Sequence, residues 1–252
     1  ALEKAALEKT AFEKTAFEKT AFEKTACKKA VSGTGTVSKI AVQIHMFYLD
    51  TLDEVIANLN QIPYAYDCFV STDTEKKRIT IEKRMKETCS CSRLYVELYE
   101  NRGRDVAPFL LQMKDRICQY DYICHIHSKK TKTNDHGNEW RKYNFEHLFG
   151  SSSYLKRVFY LFASNPKLGI IMPPTYPVLE LQAEWGGNQE GTKALLQKLG
   201  VHTKLPKEPV FPVGNMFWAR TDAVQKMFSC GFTQEDFPAE AGQVNATLAH
   251  QI

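Results

Sequence analysis

Three short clusters carry side chains with chemistry to offer. In the first, His125 and His127 stand two residues apart, followed by Ser128, Lys129 and Lys130. Strand alternation sends Tyr122, Cys124 and Ile126 to one face and Ile123, His125 and His127 to the other. Two imidazoles side by side are candidate ligands for a divalent metal, but two ligands of one type are a thin set. No carboxylate stands close in sequence, and the neighbouring lysines repel a cation. The same lysines suit an anion, most simply a phosphate or diphosphate. The competing reading is a buried strand that runs into a solvated basic loop.

The second cluster is Asn101-Arg102-Gly103-Arg104-Asp105. Two planar guanidinium forks around a glycine can clamp phosphate, and the glycine lets backbone approach closely. Alternatively this is a tight turn in which Asp105 caps the next helix. The third is Glu235-Asp236 with Glu240, carboxylates able to act as a general base or simply acids at a helix entrance. Of the tryptophans at 140, 185 and 218, each reads first as core. Trp185 stands apart, because Gly186-Gly187-Asn188 makes its neighbourhood a turn, and an aromatic ring on a loop suits a sugar. No G-x-S-x-G, Walker loop or G-x-G-x-x-G occurs, which removes motif support for serine hydrolase, P-loop and dinucleotide chemistry.

The elements that must position these groups follow from the pattern of apolar residues. With 252 residues, 43% hydrophobic and 25% charged, the chain can bury a sizeable core in one large or two small domains. Its net charge of +4 makes no case for nucleic acid. The 7 cysteines, at 27, 68, 89, 91, 118, 124 and 230, form no C-x-x-C pair, and Cys89-Ser90-Cys91 lacks a second half. Several lie in apolar runs and point to a reducing, cytosolic compartment. The first residues carry no apolar signal-like region, and no apolar run reaches membrane-spanning length.

Residues 1–30 repeat Ala-Leu/Phe-Glu-Lys-Thr/Ala. Five residues advance about 140° around a helix, so Leu2, Leu7, Phe12, Phe17 and Phe22 spiral and build no single face. The leader reads as a marginal helix or a floppy segment, not a coiled coil. A Gly/Ser/Thr linker follows at 31–38. Strands are predicted at 40–47, 67–71 and 94–98, alternating with helices at 52–59 and 75–86. This rhythm implies a parallel, Rossmann-like α/β sheet flanked by helices. A helix at 106–120 leads into the His125–His127 strand. Further on, helices are expected at 139–147, 154–164, 192–199 and 223–228, and strands at 169–172 and 209–219, the latter with a break at Gly214-Asn215. A last helix begins at 244 and is cut off, uncapped, at 252. In an open α/β sheet, ligands gather outside the carboxyl ends of strands, where all three clusters fall.

The order of these motifs resembles the rhamnan synthesis protein F family over residues 39–252. The strings that carry the likeness are 101–109 (Asn101-Arg102-Gly103-Arg104-Asp105 through Phe109), His125 to Lys130 with Glu139-Trp140-Arg141, Trp185 to Asn188, Phe211 to Arg220, and 235–243 with Thr247 to His250. The resemblance implies a cytoplasmic glycosyltransferase of polysaccharide synthesis with a GT-A-like layout. A nucleotide-binding half would span about 39–130 and an acceptor half about 131–252. The usual donor would be dTDP-L-rhamnose, and the acceptor a glycan or lipid-linked glycan, with peripheral association at the inner face of the membrane left open. Such enzymes carry Asp-x-Asp where this chain has His125-Ile126-His127, which implies transfer without a metal cofactor. A divalent ion at His125 and His127 is the minor alternative. Donor contacts would then come from His45, Thr72, Asp73, Asn101, Arg102, Gly103, Arg104, Asp105, His125, His127, Ser128, Lys129 and Lys130. Trp185, Asn188, Asn215 and Trp218 would line the sugar and acceptor site. Gln234-Glu235-Asp236 resembles the acid pair whose second member is the base, with Glu240 in reserve. The alternatives are a non-catalytic nucleotide- or carbohydrate-binding module, which would bind a donor without releasing nucleoside diphosphate, and a scaffold held through the repeat helix, which would bind neither.

Overall fold

The computed structural model describes residues 38–128, 136–240 and 246–252. The repeat leader, most of the linker, Lys129, Lys130 and the first two residues of the expected last helix lie outside them. Among the described residues, six strands form one sheet, in the order β3-β2-β1-β4-β6-β5. They are β1 (Ile40–His45), β2 (Tyr66–Thr72), β3 (Arg93–Leu98), β4 (Tyr122–His127), β5 (Ile170–Ile171) and β6 (Phe217–Arg220). β1 to β4 run parallel, while β6 lies antiparallel to both β4 and β5. The sheet is therefore mixed and mainly parallel, as the strand–helix rhythm predicts for its first half.

The helices are α1 (Leu52–Leu59), α2 (Glu75–Thr88), α3 (Val106–Met113), α4 (Gly137–Leu148), α5 (Ser152–Ser164), α6 (Gln189–Lys198), α7 (Thr221–Phe228) and α8 (Leu248–Gln251). In α1, Leu52, Val55, Ile56 and Leu59 fall at helical spacing and are all buried. α5 starts at Ser151, whose hydroxyl accepts from the Tyr154 N–H. The helix expected at 106–120 stops at Met113. Ile117 and Tyr120 both turn inward, and their spacing suits the short 3-10 turn Ile117–Gln119 that follows.

The expected strand at 209–219 shrinks to Phe217–Arg220. Pro209 and Pro212 have no N–H for a ladder, and Gly214 and Asn215 adopt positive φ of 93° and 53°. That stretch becomes a turn, and it carries Asn215 toward the carboxyl end of β4.

Strand alternation divides the core in two. One face bears Ile40, Val42, Ile44, Cys68, Val70, Cys124, Ile126 and Trp218 under α1, α2, α4 and α5. The other bears Ala41, Phe69, Ile123, Phe217 and Ala219 under α3 and α7. From β1 the chain winds through β2 to β3, then returns to the other side of β1 as β4. This reversal opens a crevice at the carboxyl ends of β1 and β4, where a doubly wound sheet takes its ligand. His45 and His127 are register partners there.

Candidate functional site

Along the second face the apolar residues give way to polar ones toward the carboxyl ends. Gln43, Ser71 and His125 are completely buried, and His45 and His127 nearly so. Buried polar groups must find partners, and here they find one another. Gln112 on α3 donates through Nε2 to the Val70 carbonyl at 3.2 Å, which turns its Oε1 toward Gln43. The Gln43 amide therefore donates to Gln112 Oε1 at 3.0 Å and to Ser71 Oγ at 3.1 Å. Its Oε1 is left to accept from His125 Nδ1 at 2.7 Å. The other nitrogen of His125, Nε2, meets Asp105 Oδ2 at 3.2 Å. A chain of amides thus sets the proton arrangement of a buried imidazole–carboxylate pair.

Asp105 stands at the start of α3, but its side chain makes no capping hydrogen bond, so the cap expected there does not form. Its Oδ2 accepts from Asn215 Nδ2 at 2.7 Å as well as meeting His125. Burial alone would raise the carboxyl, but the imidazoles of His127 and His125 and the Asn215 amide outweigh it. They hold Asp105 well below the usual carboxylate range. His127 Nε2 donates to the Gly214 carbonyl at 2.7 Å. His45 Nδ1 lies 3.0 Å from Ser71 Oγ. Burial pulls His45 down to about 4, with Asp105 pulling the other way and His127 and His125 adding to the fall.

The sequence 101–105 makes a tight hook. Gly103 and Arg104 have φ of 61° and 56°. A Cβ on Gly103 would come within 2.6 Å of Ala107 and of the Phe237 ring, so only glycine fits. The hook is fastened to the 237–240 segment. Arg102 Nε donates to the Phe237 carbonyl at 2.9 Å, Arg102 bridges Ala239, and the Glu240 N–H reaches the Asn101 carbonyl. Glu240 Oε1 accepts from the Arg104 N–H at 3.1 Å and lies 3.8 Å from its Nε. Arg102 thus joins the two loops through its Nε. Asn101 is exposed and contributes its carbonyl.

The two acids of the third cluster part company. Asp236 is exposed and accepts from Thr233 N–H at 2.8 Å and Thr233 Oγ1 at 3.1 Å, closing a capping box on its own 3-10 turn. These bonds, backbone first, lower its carboxyl. Glu240, by contrast, faces Arg104 and the hook that ends in Asp105.

Other expected site residues serve the framework. Ser128 Oγ accepts from the Phe47 and Tyr48 N–H groups at 2.7 and 2.9 Å, pinning the loop after β1 to the end of β4. Thr72 is fully buried and donates to the Met46 carbonyl at 2.8 Å, so it does not face a ribose. Asp73 pairs with Lys77 at 2.6 Å, and that ammonium lies 4.1 Å from the Phe47 ring centre. Trp218 does not line a sugar site. It is 0% exposed on the opposite face of the sheet, among Phe149 and Phe159, and donates to the Leu148 carbonyl. Its place on β6 sends it to the face that Phe217 leaves. Trp185 is half-buried, its Nε1 donating to the Pro206 carbonyl at 3.1 Å. Asn188 closes the Trp185 turn and starts α6, with a buried Oδ1 that has no partner among the described residues.

Four members of the site escaped the sequence reading. Gln43, Ser71 and Gln112 were legible only as polar residues inside apolar runs. Asn144 on α4 is buried with neither side-chain atom partnered among the described residues, and it abuts Gly214 beside the His127 contact. Nothing in its sequence neighbourhood marks it. Arg141, one turn earlier, ties α4 to Glu54 of α1 at 2.9 Å.

The sequence model of the family described as rhamnan synthesis protein F matches residues 15–252, beginning inside the pentapeptide repeat. Two proteins of Xanthomonas campestris pv. campestris, from different strains and each titled "Uncharacterized protein WxcX", are 30% identical over 215 residues. The aligned region covers 84% of this chain and 30% of each relative, so the chain spans under a third of their length. Among the described residues, no helix is long and apolar enough to cross a membrane.

Proposed function

Because this chain belongs to the rhamnan synthesis protein F family, we propose that it is a glycosyltransferase module of bacterial cell-surface polysaccharide synthesis. In this reading it moves rhamnose from dTDP-L-rhamnose to a glycan or lipid-linked glycan, in the cytoplasm or at the inner face of the membrane, on a GT-A-like layout. The family supports the polysaccharide role. The observation that carries the transfer reading is the imidazole, carboxylate and amide group at the carboxyl ends of β1 and β4, where a doubly wound sheet binds nucleotides. His45 and Asp73 would meet the nucleoside. His127 and Arg104, with Lys129 and Lys130, would neutralise the diphosphate as charge develops on it. The buried Asn188 Oδ1 beside Trp185, without a partner among the described residues, supports an acceptor role for that turn.

A metal at His125 and His127 fits poorly. Both ring nitrogens of His125 already meet protein oxygens, and Nε2 of His127 is spent on Gly214. Release of dTDP should therefore survive EDTA. Abolition by the chelator with rescue by manganese or magnesium would return a metal to this site.

For the base we favour Glu240 over Asp236, since Asp236 is occupied by its own turn and Glu240 abuts Arg104. The deciding experiment is a donor screen for nucleoside diphosphate release, in which dTDP-L-rhamnose should exceed other donors. Glu240→Gln should then cost about 10²-fold in transfer with donor affinity nearly unchanged. The capped state of Asp236 favours the second reading, a non-catalytic binding module. Donor binding without release would select that reading, and neither binding nor release would remove both.

A further inference from the structure

At the amino end of the sheet, away from the polar crevice, a cluster of another kind assembles. Cys68 lies in β2 and is 0% exposed. Cys89 follows α2 directly, and Cys91 stands two residues on, before β3; both are half-buried. Their three sulfur atoms lie within 4.8 Å of one another, and all three are free thiols. Among the described residues this is the one group of metal-ligating side chains so placed. β2 supplies the second half that Cys89-Ser90-Cys91 lacks in sequence.

The backbone that presents the thiols is tied down on both sides. The Asn60 amide donates to the Thr88 carbonyl at 2.9 Å and accepts from the Ser90 N–H at 2.9 Å. The Cys89 N–H reaches the Met85 carbonyl at 2.8 Å, and the Ser92 N–H reaches the Tyr66 carbonyl at 2.7 Å. Ligands held by rigid elements form the site before the ion arrives.

We propose that Cys68, Cys89 and Cys91 form a thiolate site for a soft cation, zinc, that fastens the end of α2 and the lead into β3 to β2. Tetrahedral zinc with Zn–S near 2.3 Å sets sulfurs about 3.8 Å apart, so the loop closes by about 1 Å at most. The fourth position falls to water or to the Tyr66 hydroxyl, 3.5 Å from Cys89 Sγ. Three thiolates so close need a cation between them to coexist. The edge has use for such a staple. β3 is half-exposed along its length, and α2 buries only Ile81 and Met85. The proposal is independent of the donor-site reading, since the thiols lie at the other end of the strands.

The test is the metal content of the full chain purified without chelator, together with cobalt substitution. About one zinc per chain is expected, and cobalt should give the intense bands of a tetrahedral thiolate site. Cys91→Ser should lower zinc at least about tenfold, whereas Cys118→Ser, at an exposed thiol elsewhere, should leave it unchanged. Should Cys91→Ser fail to fold, alkylation of the wild-type chain decides: zinc must protect Cys89 and Cys91 and not Cys118. A chain that binds no cobalt through thiolate, zinc that persists in folded Cys91→Ser, or a disulfide among the three in a non-reduced digest would overturn the proposal.

Discussion

The two faces of the sheet are separated by a single residue of register and differ in kind. Val42, Cys68 and Cys124 lie side by side on one, and Gln43 and His125 lie side by side on the other. The first face is mainly apolar, closed by α1, α2, α4 and α5, with Thr72 at its carboxyl end bonded to the Met46 carbonyl. The second is apolar at its amino-terminal half apart from Asp67, paired with Arg93 and Tyr120, then carries Gln43, Ser71, His125, His45 and His127 toward the crevice. Parallel pairing sets Gln43 beside His125, and His45 beside both Ser71 and His127, so a few polar residues on β1, β2 and β4 become a continuous buried layer. Side chains of the first face hold the fold. Those of the second must also satisfy each other, and a change in one disturbs its neighbours.

The comparison breaks most sharply at Trp218. If that residue is pure core, Trp218→Ala should cost about 3–5 kcal/mol in urea unfolding. A small loss of stability with a large loss of sugar transfer would instead make it a substrate contact. On the second face, His125→Leu strips buried Asp105 of a hydrogen-bond partner and should cost about 2–4 kcal/mol. Adding Asp105→Leu should then cost less than it does alone, because the unpaired carboxylate leaves with it. Additive losses would mean the two residues do not act as a pair.

A third test uses pH. His45 is held down to about 4 by burial, next to Asp105, His127, His125 and Asp73. The unfolded chain then binds a proton between about pH 6.5 and 4 that the folded chain refuses. Stability present above pH 6.5 should be lost as pH falls through this window, by about 3 kcal/mol in all. His45→Gln should flatten that limb in denaturant midpoints measured from pH 7 to 4.5, and an unchanged limb would show that His45 is not the group. The smallest effect belongs to Asp236→Asn, which weakens one exposed cap and should move the denaturant midpoint only slightly. Transfer reduced about 100-fold by that change would restore Asp236 as the base.

Much of the first half was legible. Leu52 to Leu59 carries its buried stripe at helical spacing, and the alternation in β4 assigns His125 and His127 to one face, as observed. The joint order of the motifs identified the family. Legibility failed where a residue had two local uses. Asp105 reads equally as a helix cap and as a site acid, and only the approach of His125 and Asn215 draws it away from the helix. Trp218 follows the strand's alternation, but which face is core depends on α4 and α5, which lie far off in sequence. Arg102 and Arg104 look alike in the chain, yet the Phe237 carbonyl claims one of them.

The sequence by itself determined which segments alternate with period two and which bury a helical stripe, because those are properties of neighbours along the chain. That only glycine fits at 103 and 214 was decided by the tertiary structure, since a Cβ there would meet Phe237 and Trp140. Only the tertiary structure decided which polar residues meet. Asp105 and Asn215 are 110 residues apart, Arg102 and Phe237 are 135, and Cys68 joins Cys89 and Cys91 across a whole helix. A hydrogen bond or a metal site needs its atoms within a few ångströms, and it is the winding of β1 to β4 about the sheet that brings them there.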